Sequence, residues 1–559
     1  MNQDATPYDD LIRSALPRVL SQLDRDPDSP SYGCFDRNHW HLKMRDFTSM
    51  PLQQSALTLA LVARDEHGLV PPGQRDALAE WAAAACRFWA TQPHRDGFFD
   101  EYYPGERALC PTSFTTFAVS RIHTARDPAD DGTPEPAVAR TLHKAAWGLT
   151  RRSETLALNQ EAASIPAILG VARLTNDDRL QRAAVAKLDR FLTLQKSEGW
   201  FDERGGVDVG YLSTTLDFLC EAHRLLSRDN VLEAAARVLE AARRVAEVLQ
   251  YFLHPDGTCG GQYGSRNTEY LIPAGFEYLA MEHAPSAAVC AWFHERVLGR
   301  GDSFYVAFDD RYLCHNMLHA ALRAREYFIE WARHSRRETP LVPVPSAGAH
   351  DKCFAEAGLW VAGDWRAQTV VALKKGGVVH GVTSGGSLHD YGYRCLDARG
   401  RLLVSSWQSD RWNVEAVPGG YRVSGPLCRA KFVRSTPFRH LVLRVLAKLL
   451  GPKLIPMLQR RLILHDAPTR TVLTRTMTRT GHTLRIADTL ESPEPLAEVW
   501  AAPKYSLRHV ASSMYFRNEE CDRPTDRGHL AVQREGGKWL VRRARAWDLS
   551  TGEELPADD

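Results

Sequence analysis

Five residues in this sequence have side chains that could do chemistry, and each stands at the edge of a predicted helix or strand. Asn159 and Gln160 open one apolar helical run, and Tyr211 opens the next, directly after a glycine-rich loop. His380 and His389 lie further on, in a stretch with strand-like alternation. Amides can donate hydrogen bonds to a charged group, whereas a phenol or an imidazole can carry a proton. These residue types suit the binding of an anion and the movement of a proton beside it.

The motifs of several common enzyme classes are missing. The sequence has no phosphate-binding loop, no GxGxxG after a predicted strand, no GxSxG elbow and no HExxH. Its eleven cysteines form no C-x-x-C pair, so we expect reduced thiols and neither a zinc site nor a disulfide framework. The formal net charge of +2 gives no overall attraction to polyanions, which argues against a nucleic-acid partner.

The N-terminal residues lack the basic and apolar segments of a secretory signal. No run of roughly eighteen apolar residues occurs, so no membrane span is expected. These features predict a cytoplasmic location, with attachment to a membrane surface as a second interpretation. They give no indication of the oligomeric state.

The elements that must position these residues fall into two groups. From residue 7 to about 335, apolar residues recur every three or four positions and alanine and leucine dominate, which predicts helices. The clearest predicted helices are 74–89, 137–149, 160–173, 179–195, 212–226 and 231–249.

Four loops of related composition precede apolar helical runs. They combine glycine with aromatic and acidic residues, and they lie at 33–37, 97–101, 199–211 and 256–263. Their recurrence predicts a repeat of helical pairs with the loops on one face. A toroid of helical hairpins is the interpretation that we adopt, with a helical solenoid as the alternative.

A proline-rich segment separates the two halves. Three prolines within 339–345 each lack an amide donor, which predicts a linker at 339–348 between a helical domain at 1–338 and a β domain at 349–559. Alternation and glycine-rich turns beyond it predict a large antiparallel structure, most simply a sandwich. The predicted strands are 369–373, 377–382, 402–406, 420–424, 471–476, 483–488 and 539–543.

One segment of the β half breaks this pattern. Residues 437–464 contain six lysines and arginines and many leucines but no acidic residue, and Gly451–Pro452 interrupts them. This composition predicts a basic amphipathic helical hairpin or a pair of strands. Such an element could lie peripherally on an anionic membrane surface. It could also be an insertion that packs on the sheet and leaves a basic edge in solvent.

A helical N-terminal half followed by an antiparallel β half resembles the heparinase II/III-like polysaccharide lyases and the related alginate lyases. The resemblance covers essentially the whole chain in architecture, and its local motifs are short. It implies a multidomain α + β fold, in which an N-terminal incomplete (α/α) toroid is followed by a C-terminal antiparallel β-sandwich. It also implies that an acidic polysaccharide or oligosaccharide binds between the two domains and is cleaved by β-elimination.

The resemblance further implies roles for single residues. In that family an asparagine, usually followed by histidine, begins an inner helix and binds the uronate carboxylate; here Asn159 and Gln160 stand at these positions. The catalytic tyrosine of the family follows in a glycine-rich segment, and Tyr211 matches it 52 residues after Asn159. A histidine from the β domain completes the set, with His389 as the candidate and His380 as its competitor. Gln160 replaces a residue that could carry a proton.

β-Elimination removes the C5 proton of a uronate, which is weakly acidic while the adjacent carboxylate is charged. Hydrogen bonds from Asn159, Gln160 and a histidine would stabilise the charge that develops there. A tyrosine, with an ordinary pKa of about 10, needs a cation such as Arg204 or Arg266 nearby to act as a base. Tyr211 or a histidine would then protonate O4 of the leaving group. This scheme requires no metal and no cofactor.

Each of these residues also has a purely structural interpretation. Asn159 could be the N-cap of its helix, Tyr211 could be a core tyrosine, and His389–Asp390 could form a turn pair. The predicted substrate-binding residues could pack on sugar faces or bind carboxylates, although any one of them could equally be a core aromatic or a surface charge. They are Arg37, His39, Trp40, His41, Lys43, Trp200, Arg204, Asp208, Tyr263, Arg266, Asn267 and Glu269.

The sequence therefore predicts a polysaccharide lyase acting in the synthesis or turnover of a uronate-containing glycan, and two other functions stay open. A glycoside hydrolase of the same toroid class would use two loop carboxylates as acid and base. A glycan-binding accessory protein of polysaccharide biosynthesis would keep the fold without turnover. The carboxylates considered for a hydrolase are Asp202, Glu203, Asp208, Glu269, Asp309 and Asp310.

Overall fold

The computed structural model describes residues 5–124, 133–299, 304–334, 344–383, 386–430, 432, 434–462, 467–503 and 528–556. Helices fill the chain up to His334, and the first strand begins at His350. Half of the predicted linker at 339–348 lies outside the described residues, which resume at Val344. The predicted domain boundaries therefore stay predictions.

The helical half is a toroid of hairpins. Its helices are α1 Asp9–Leu20, α2 Arg37–Trp40, α3 Ser55–Arg64, α4 Pro72–Thr91, α5 Leu109–Thr124, α6 Pro136–Thr150, α7 Leu158–Thr175, α8 Asp178–Leu192, α9 Val209–Arg228, α10 Leu232–Leu249, α11 Ala274–Leu279, α12 Ala284–Phe293, α13 Phe304–Ala307, α14 Asp310–Tyr312 and α15 Leu318–His334. The inner layer runs through α3, α5, α7, α9 and α11, and α15 packs against both α11 and α3. Helices α4, α6, α8 and α10 form the outer layer.

The two layers differ in burial as their sequences predict. Inner helices α5 and α7 are buried at almost every position, whereas outer helices α8 and α10 bury a single stripe of apolar residues. Each of the six helices predicted most clearly from periodicity is present, within a few residues of its expected bounds. The incomplete (α/α) toroid is thus confirmed.

The four related loops are one structural repeat. The first glycine of each has a positive φ, namely 90° at Gly33, 87° at Gly97, 101° at Gly199 and 85° at Gly257. A Cβ at any of them would lie within 3.0 Å of a backbone oxygen of the outer helical segment, at Ala84, Lys144, Arg244 and Arg296 respectively. Glycine therefore lets each loop cross the outer layer closely before the chain enters an inner helix.

The β half consists of two antiparallel sheets. The first contains β1 His350–Phe354, β2 Leu359–Gly363, β3 Ala367–Ala372, β4 Val378–Thr383 and β5 Gly386–Asp390, in chain order. The second contains β6 Tyr393–Asp397, β7 Leu402–Val404, β8 Asn413–Val417, β9 Gly420–Arg429, β10 Pro468–Thr480, β11 Thr483–Ser492, β12 Leu496–Ala501, β13 Gln533–Glu535, β14 Lys538–Asp548 and β15 Glu554–Leu555.

The second sheet has the order β12-β6-β7-β9-β10-β11-β14-β13, with β8 paired to β9 and β15 paired to β14. Trp360 and Val371 from the first sheet share an apolar core with Leu473 and Ile486 from the second. The two sheets therefore pack face to face, as predicted for an antiparallel β-sandwich.

The basic segment between β9 and β10 forms a helical hairpin, α16 Pro437–Leu450 and α17 Leu454–Leu462. Ala447 and Leu454 are buried against Tyr103 of the toroid, in a cluster that contains no strand residue from the described part of the chain. Arg444 donates two hydrogen bonds to the carboxylate of Asp46, at 2.8 and 3.0 Å. The hairpin thus packs on the toroid, and the interpretation that placed it on the sheet is corrected.

None of the described helices combines the length and apolar content that a membrane-spanning helix needs.

Candidate active site

A cavity of about 800 Å³ lies where the first turns of inner helices α5, α7 and α9 converge. Asn159 and Gln160 line it from α7, and Tyr211 lines it from α9. The N-terminal turn of a helix has unpaired N–H groups and a partial positive charge. Three such turns around one cavity make it suitable for an anionic ligand.

Asn159 is tied to a buried carboxylate beneath the cavity. Helix α7 begins at Leu158, so Asn159 lies inside its first turn and is not the N-cap. Its Nδ2 donates to Glu203 Oε2 at 2.6 Å. The other oxygen of Glu203 accepts from Arg266 Nη1 at 2.7 Å. One carboxylate therefore fixes both the amide of Asn159 and the guanidinium of Arg266.

The guanidinium of Arg266 stacks on the ring of Tyr211. The Cζ of Arg266 lies 3.9 Å from the centre of the Tyr211 ring, and both side chains line the cavity. Burial opposes the charge of Arg266, but Tyr211 and Glu203 raise its pKa above the ordinary value. The neighbouring Arg204 also lines the cavity. Two cations thus lie beside Tyr211, the tyrosine predicted to be catalytic.

Asp208, predicted to bind substrate, instead holds this arrangement together. It is the N-cap of α9 and accepts a hydrogen bond from Tyr211 N at 3.3 Å. It also accepts from the backbone N of Arg266 and of Thr268, each at 3.1 Å. Its side chain is fully buried, so its function in the fold is to fix the start of α9 to the loop that presents Arg266.

The β half reaches the same loop through Lys375. Its buried Nζ donates to the carbonyl oxygens of Gln262 and Gly264, both at 2.7 Å, and to Asn267 Oδ1 at 2.5 Å. Lys375 follows β3 directly, so these bonds fasten the sandwich to the loop around Arg266. Asn267, a predicted substrate contact, is used in this clamp.

The two predicted histidines lie together at another place between the halves. His380 and His389 face each other on β4 and β5 with ring centroids 4.3 Å apart. His380 also packs against His254 and Tyr263, at 4.9 and 5.5 Å between ring centroids. Neither His380 nor His389 is among the described residues that line the cavity. The structure therefore does not bring them together with Asn159 and Tyr211.

The residue after His389 belongs to a buried ion network of the sandwich. Asp390 accepts from Arg475 Nη1 at 2.9 Å and is paired with Arg545. Asp488 binds the same two arginines. The pairing of Asp390 with arginines, inside the sandwich, favours the structural interpretation of the His389–Asp390 pair.

Another histidine does line the cavity, and sequence reasoning missed it. His315 lies in a π-helical turn at Leu313–Met317 with a non-helical ψ of −154°, next to the ring of Tyr312. Its enclosure lowers its pKa to about 4, and the charge of Arg311 acts in the same direction. It is therefore neutral at pH 7 and able to accept a proton. No motif marks this position in the sequence.

The other predicted sugar contacts fall in two places away from the cavity. Trp40 Nε1 donates to Gln22 O at 2.8 Å, and His39 Nδ1 lies 3.1 Å from Arg45 O, so both side chains serve the local loop. Arg45 lines the cavity, but the predicted residues of this loop are not among its described lining residues. They are Arg37, His39, Trp40, His41 and Lys43. Trp200, Tyr263 and Glu269 are buried and are likewise not among the described lining residues.

The cavity is rich in arginine. Its described lining has six arginines and four carboxylates. Burial raises the pKa of both Glu101 and Glu106. The charge of Glu101 adds to this effect on Glu106, whose pKa rises to about 8. Glu106 therefore holds a proton at neutral pH, which leaves the lining more positive. The arginines are Arg45, Arg107, Arg152, Arg204, Arg266 and Arg311, and the carboxylates are Glu101, Glu106, Glu154 and Asp309.

Among the described residues, no group of three or more histidine, cysteine, aspartate and glutamate side chains is placed to hold a metal ion.

No protein family profile matches the sequence, and no curated protein is similar to it. The fold, in contrast, is similar to solved structures. A xanthan lyase from Paenibacillus matches with a TM-score of 0.51 and 10% identity, over 89% of this chain and 46% of that chain. The chondroitin AC lyase of Streptomyces coelicolor A3 matches with a TM-score of 0.52 and 11% identity, over 89% of this chain and 68% of that chain.

A heparan sulfate lyase, HepC from Pedobacter heparinus, aligns over 99% of this chain with a TM-score of 0.39. On the two matches with TM-scores above 0.5, the chain has the fold of polysaccharide lyases of the toroid type, and it spans about half the length of the xanthan lyase. At these identities the likeness concerns the fold alone.

Proposed function

We propose that this protein is a lyase that cleaves a uronate-containing polysaccharide or oligosaccharide by β-elimination, with Tyr211 as the residue that moves the proton. The observation that carries the proposal is the contact between Arg266 and Tyr211, 3.9 Å from guanidinium carbon to ring centre, in a cavity that Asn159 also lines. The fold shared with known polysaccharide lyases supports it.

The charge of the cavity supports an acidic substrate. Six arginines line it, and guanidinium groups bind carboxylates and sulfates in the same plane through paired hydrogen bonds. Some of these arginines are already held by the protein, such as Arg311 by Asp36 at 2.6 Å and Arg152 by Asp96 at 2.8 Å. Held in this way, the guanidinium groups are preorganised and lose little entropy when substrate binds, while their carboxylate partners offset part of their charge.

The proposed reaction needs a base, a carboxylate binder and an acid. Positive charge from Arg266 and Arg204 favours the phenolate of Tyr211, which accepts the C5 proton of the uronate. The uronate carboxylate takes up the electron density while the amides of Asn159 and Gln160 donate hydrogen bonds to it. Asn159 can do so while bonded to Glu203, because its amide nitrogen has two hydrogens and Glu203 accepts one of them.

The C4–C5 double bond then forms as the bond from C4 to O4 breaks. The phenol of Tyr211 returns its proton to the departing O4, so the enzyme ends the cycle as it began. Neutral His315 lies in the same cavity, where its low pKa makes it a weak base and a hydrogen-bonding group at neutral pH.

Hydrolysis is the second candidate, and Glu106 is the observation that favours it. A pKa of about 8 lets this carboxyl group keep its proton at pH 7 and act as a general acid on a glycosidic oxygen. It lines the same cavity as Tyr211. A hydrolase would need a second carboxylate as base or nucleophile, and of the carboxylates that the sequence predicts for a hydrolase, Asp309 is among the described lining residues.

The products distinguish these reactions. The purified protein is incubated with a panel of uronate-containing glycans, and the products are weighed by mass spectrometry. Elimination gives fragments whose masses add up to that of the substrate, whereas hydrolysis adds the mass of one water molecule. Elimination products support the proposal, and hydrolysis products would replace it with the second candidate. Glycan binding without any product would contradict both and support an accessory protein.

A further inference from the structure

The helical hairpin carries an apolar surface that faces solvent. Phe438 and Leu449 of α16 are 73% and 75% exposed, and Leu441, Val442 and Val445 are exposed beside them. Soluble proteins seldom leave a contiguous group of large apolar side chains open to water without a partner. We call these five residues the outer face of α16.

The outer face is one continuous stripe. At about 100° per residue, its five positions fall within an arc of about 100° on the helix. The opposite side of α16 packs on the toroid, where Ala447 is buried and Leu443 and Leu446 contact the same cluster. Helix α16 therefore has a second apolar side that the described part of the chain leaves uncovered.

The charges within the hairpin itself have one sign. No aspartate or glutamate occurs from residue 416 to residue 465. On the helical wheel Lys448 lies at one edge of the outer face and Arg439 lies beyond the other edge, and both are exposed. An apolar stripe between basic side chains is the pattern of a helix that lies flat in the headgroup region of an anionic bilayer.

We propose that the outer face of α16 docks this protein on an anionic lipid surface. Phe438, Val445 and Leu449 insert between the acyl chains near the headgroups, and Lys448 and Arg439 pair with lipid phosphates. A second copy of the chain fits the surface less well, because a two-fold contact between two α16 helices would bring these basic side chains against each other. The inference goes beyond the proposed reaction and does not depend on it.

The position of the hairpin gives the docking a consequence for the cavity. Pro452, Ile455, Pro456 and Gln459, at the turn and in α17, line the cavity. Because α16 and α17 form one hairpin held to the toroid through Asp46 and Tyr103, a docked α16 keeps the cavity beside the lipid surface. A glycan at that surface would then meet the cavity at a high local concentration.

Vesicle co-sedimentation with the full chain tests the proposal. The probes are vesicles of phosphatidylcholine alone and vesicles with phosphatidylcholine and phosphatidylglycerol in about a three-to-one ratio. The protein is expected to sediment with the anionic vesicles only and to be released by high salt. The double variant Phe438→Glu, Leu449→Glu should bind at least about tenfold more weakly, since it removes buried apolar area and adds negative charge.

The matched control is Leu232→Glu. Leu232 is 65% exposed and opens α10 in the helical half, so the change is the same in kind but lies away from the hairpin. It should bind anionic vesicles as the wild type does. Circular dichroism and thermal unfolding of all variants check that they are folded, which is expected because the substituted side chains are in solvent.

Three results would overturn the proposal. The wild type fails to bind phosphatidylglycerol vesicles, or the double variant binds them as well as the wild type does. The third is a dimer of the wild type in sedimentation velocity without lipid that the double variant does not form, which would mean that a second copy of the chain covers the outer face. None of these readouts depends on activity, so they are separate from the test of the proposed reaction.

Discussion

The guanidinium carbon of Arg266 lies 3.9 Å from the ring centre of Tyr211, and the same guanidinium is held from behind by Glu203 at 2.7 Å. The position of the cation is therefore set by a buried acid that also receives the amide of Asn159. A charge fixed in this way acts on the phenol without having to reorganise.

Arg266→Lys should reduce kcat about 10- to 100-fold, because an ammonium cannot both bond Glu203 and lie flat on the ring. With a less effective cation, the rising limb of the pH–rate profile should move to higher pH, since the phenolate forms less readily. The measurement is kcat/KM on an acidic glycan across pH. Arg45→Lys, in the same cavity lining, is the control and should leave the position of that limb unchanged.

Lys375→Met should reduce both stability and activity, although Lys375 does not touch the cavity. It removes three hydrogen bonds from the loop that presents Arg266 and leaves their acceptors buried, at a cost of about 3 kcal/mol. Urea unfolding measures the loss, and a fall in kcat with little change in KM would identify a positioning effect. Lys374→Met is the neighbouring control, since Lys374 is partly exposed and bonds the backbone of Glu356. Equal effects of both substitutions would contradict the clamp.

Glu106 should make the fold less stable as the pH rises. Its pKa is raised from 4.5 to about 8, so the proton it binds stabilises the fold below pH 4.5, and this contribution is lost as the pH rises through 8. Glu106→Gln cannot lose that proton and should be about 1–3 kcal/mol more stable than the wild type at about pH 8, with little difference at about pH 5. Urea unfolding at both pH values tests this. Glu154→Gln, also in the lining, should not change the slope.

Two glycines of one loop separate steric contact from backbone strain. Gly199 has φ 101° and a Cβ there would lie 2.9 Å from the carbonyl oxygen of Arg244, whereas Gly205 has φ 94° with open space around it. Gly199→Ala should therefore destabilise the protein by about 3 kcal/mol and Gly205→Ala by about 1 kcal/mol. Thermal unfolding compares the two. Similar losses would mean that the loop does not cross the outer layer as closely as described.

Much of this fold could be predicted from sequence because its signals are local. Helices such as α9 follow from the spacing of apolar residues, and the repeated loops follow from glycines that a close crossing requires. The same spacing places Asn159 and Tyr211 in the first turns of neighbouring inner helices, and the structure brings both to one cavity. The alternative interpretation of Asn159 as an N-cap is wrong by two positions, since the cap is Ala157.

The remaining features depend on contacts between distant parts of the chain. Aromatic and charged loop residues such as Trp200 and Asp208 are polar or amphipathic by type, but the fold buries them, and composition does not tell which way a loop side chain points. His315 enters the cavity through a local break in helical geometry that no sequence period reveals. The clamp by Lys375 joins residues more than a hundred positions apart.

The most direct test of the proposed reaction is ultraviolet absorbance of the protein mixed with uronate-containing glycans, since a new C4–C5 double bond conjugated to the carboxylate absorbs where the substrate does not. The proposed reaction predicts a rising signal in the wild type and in Tyr102→Phe, whose side chain also lines the cavity, and a loss of at least about a thousandfold in Tyr211→Phe. A signal that survives in Tyr211→Phe at the wild-type rate would contradict the central function given to Tyr211.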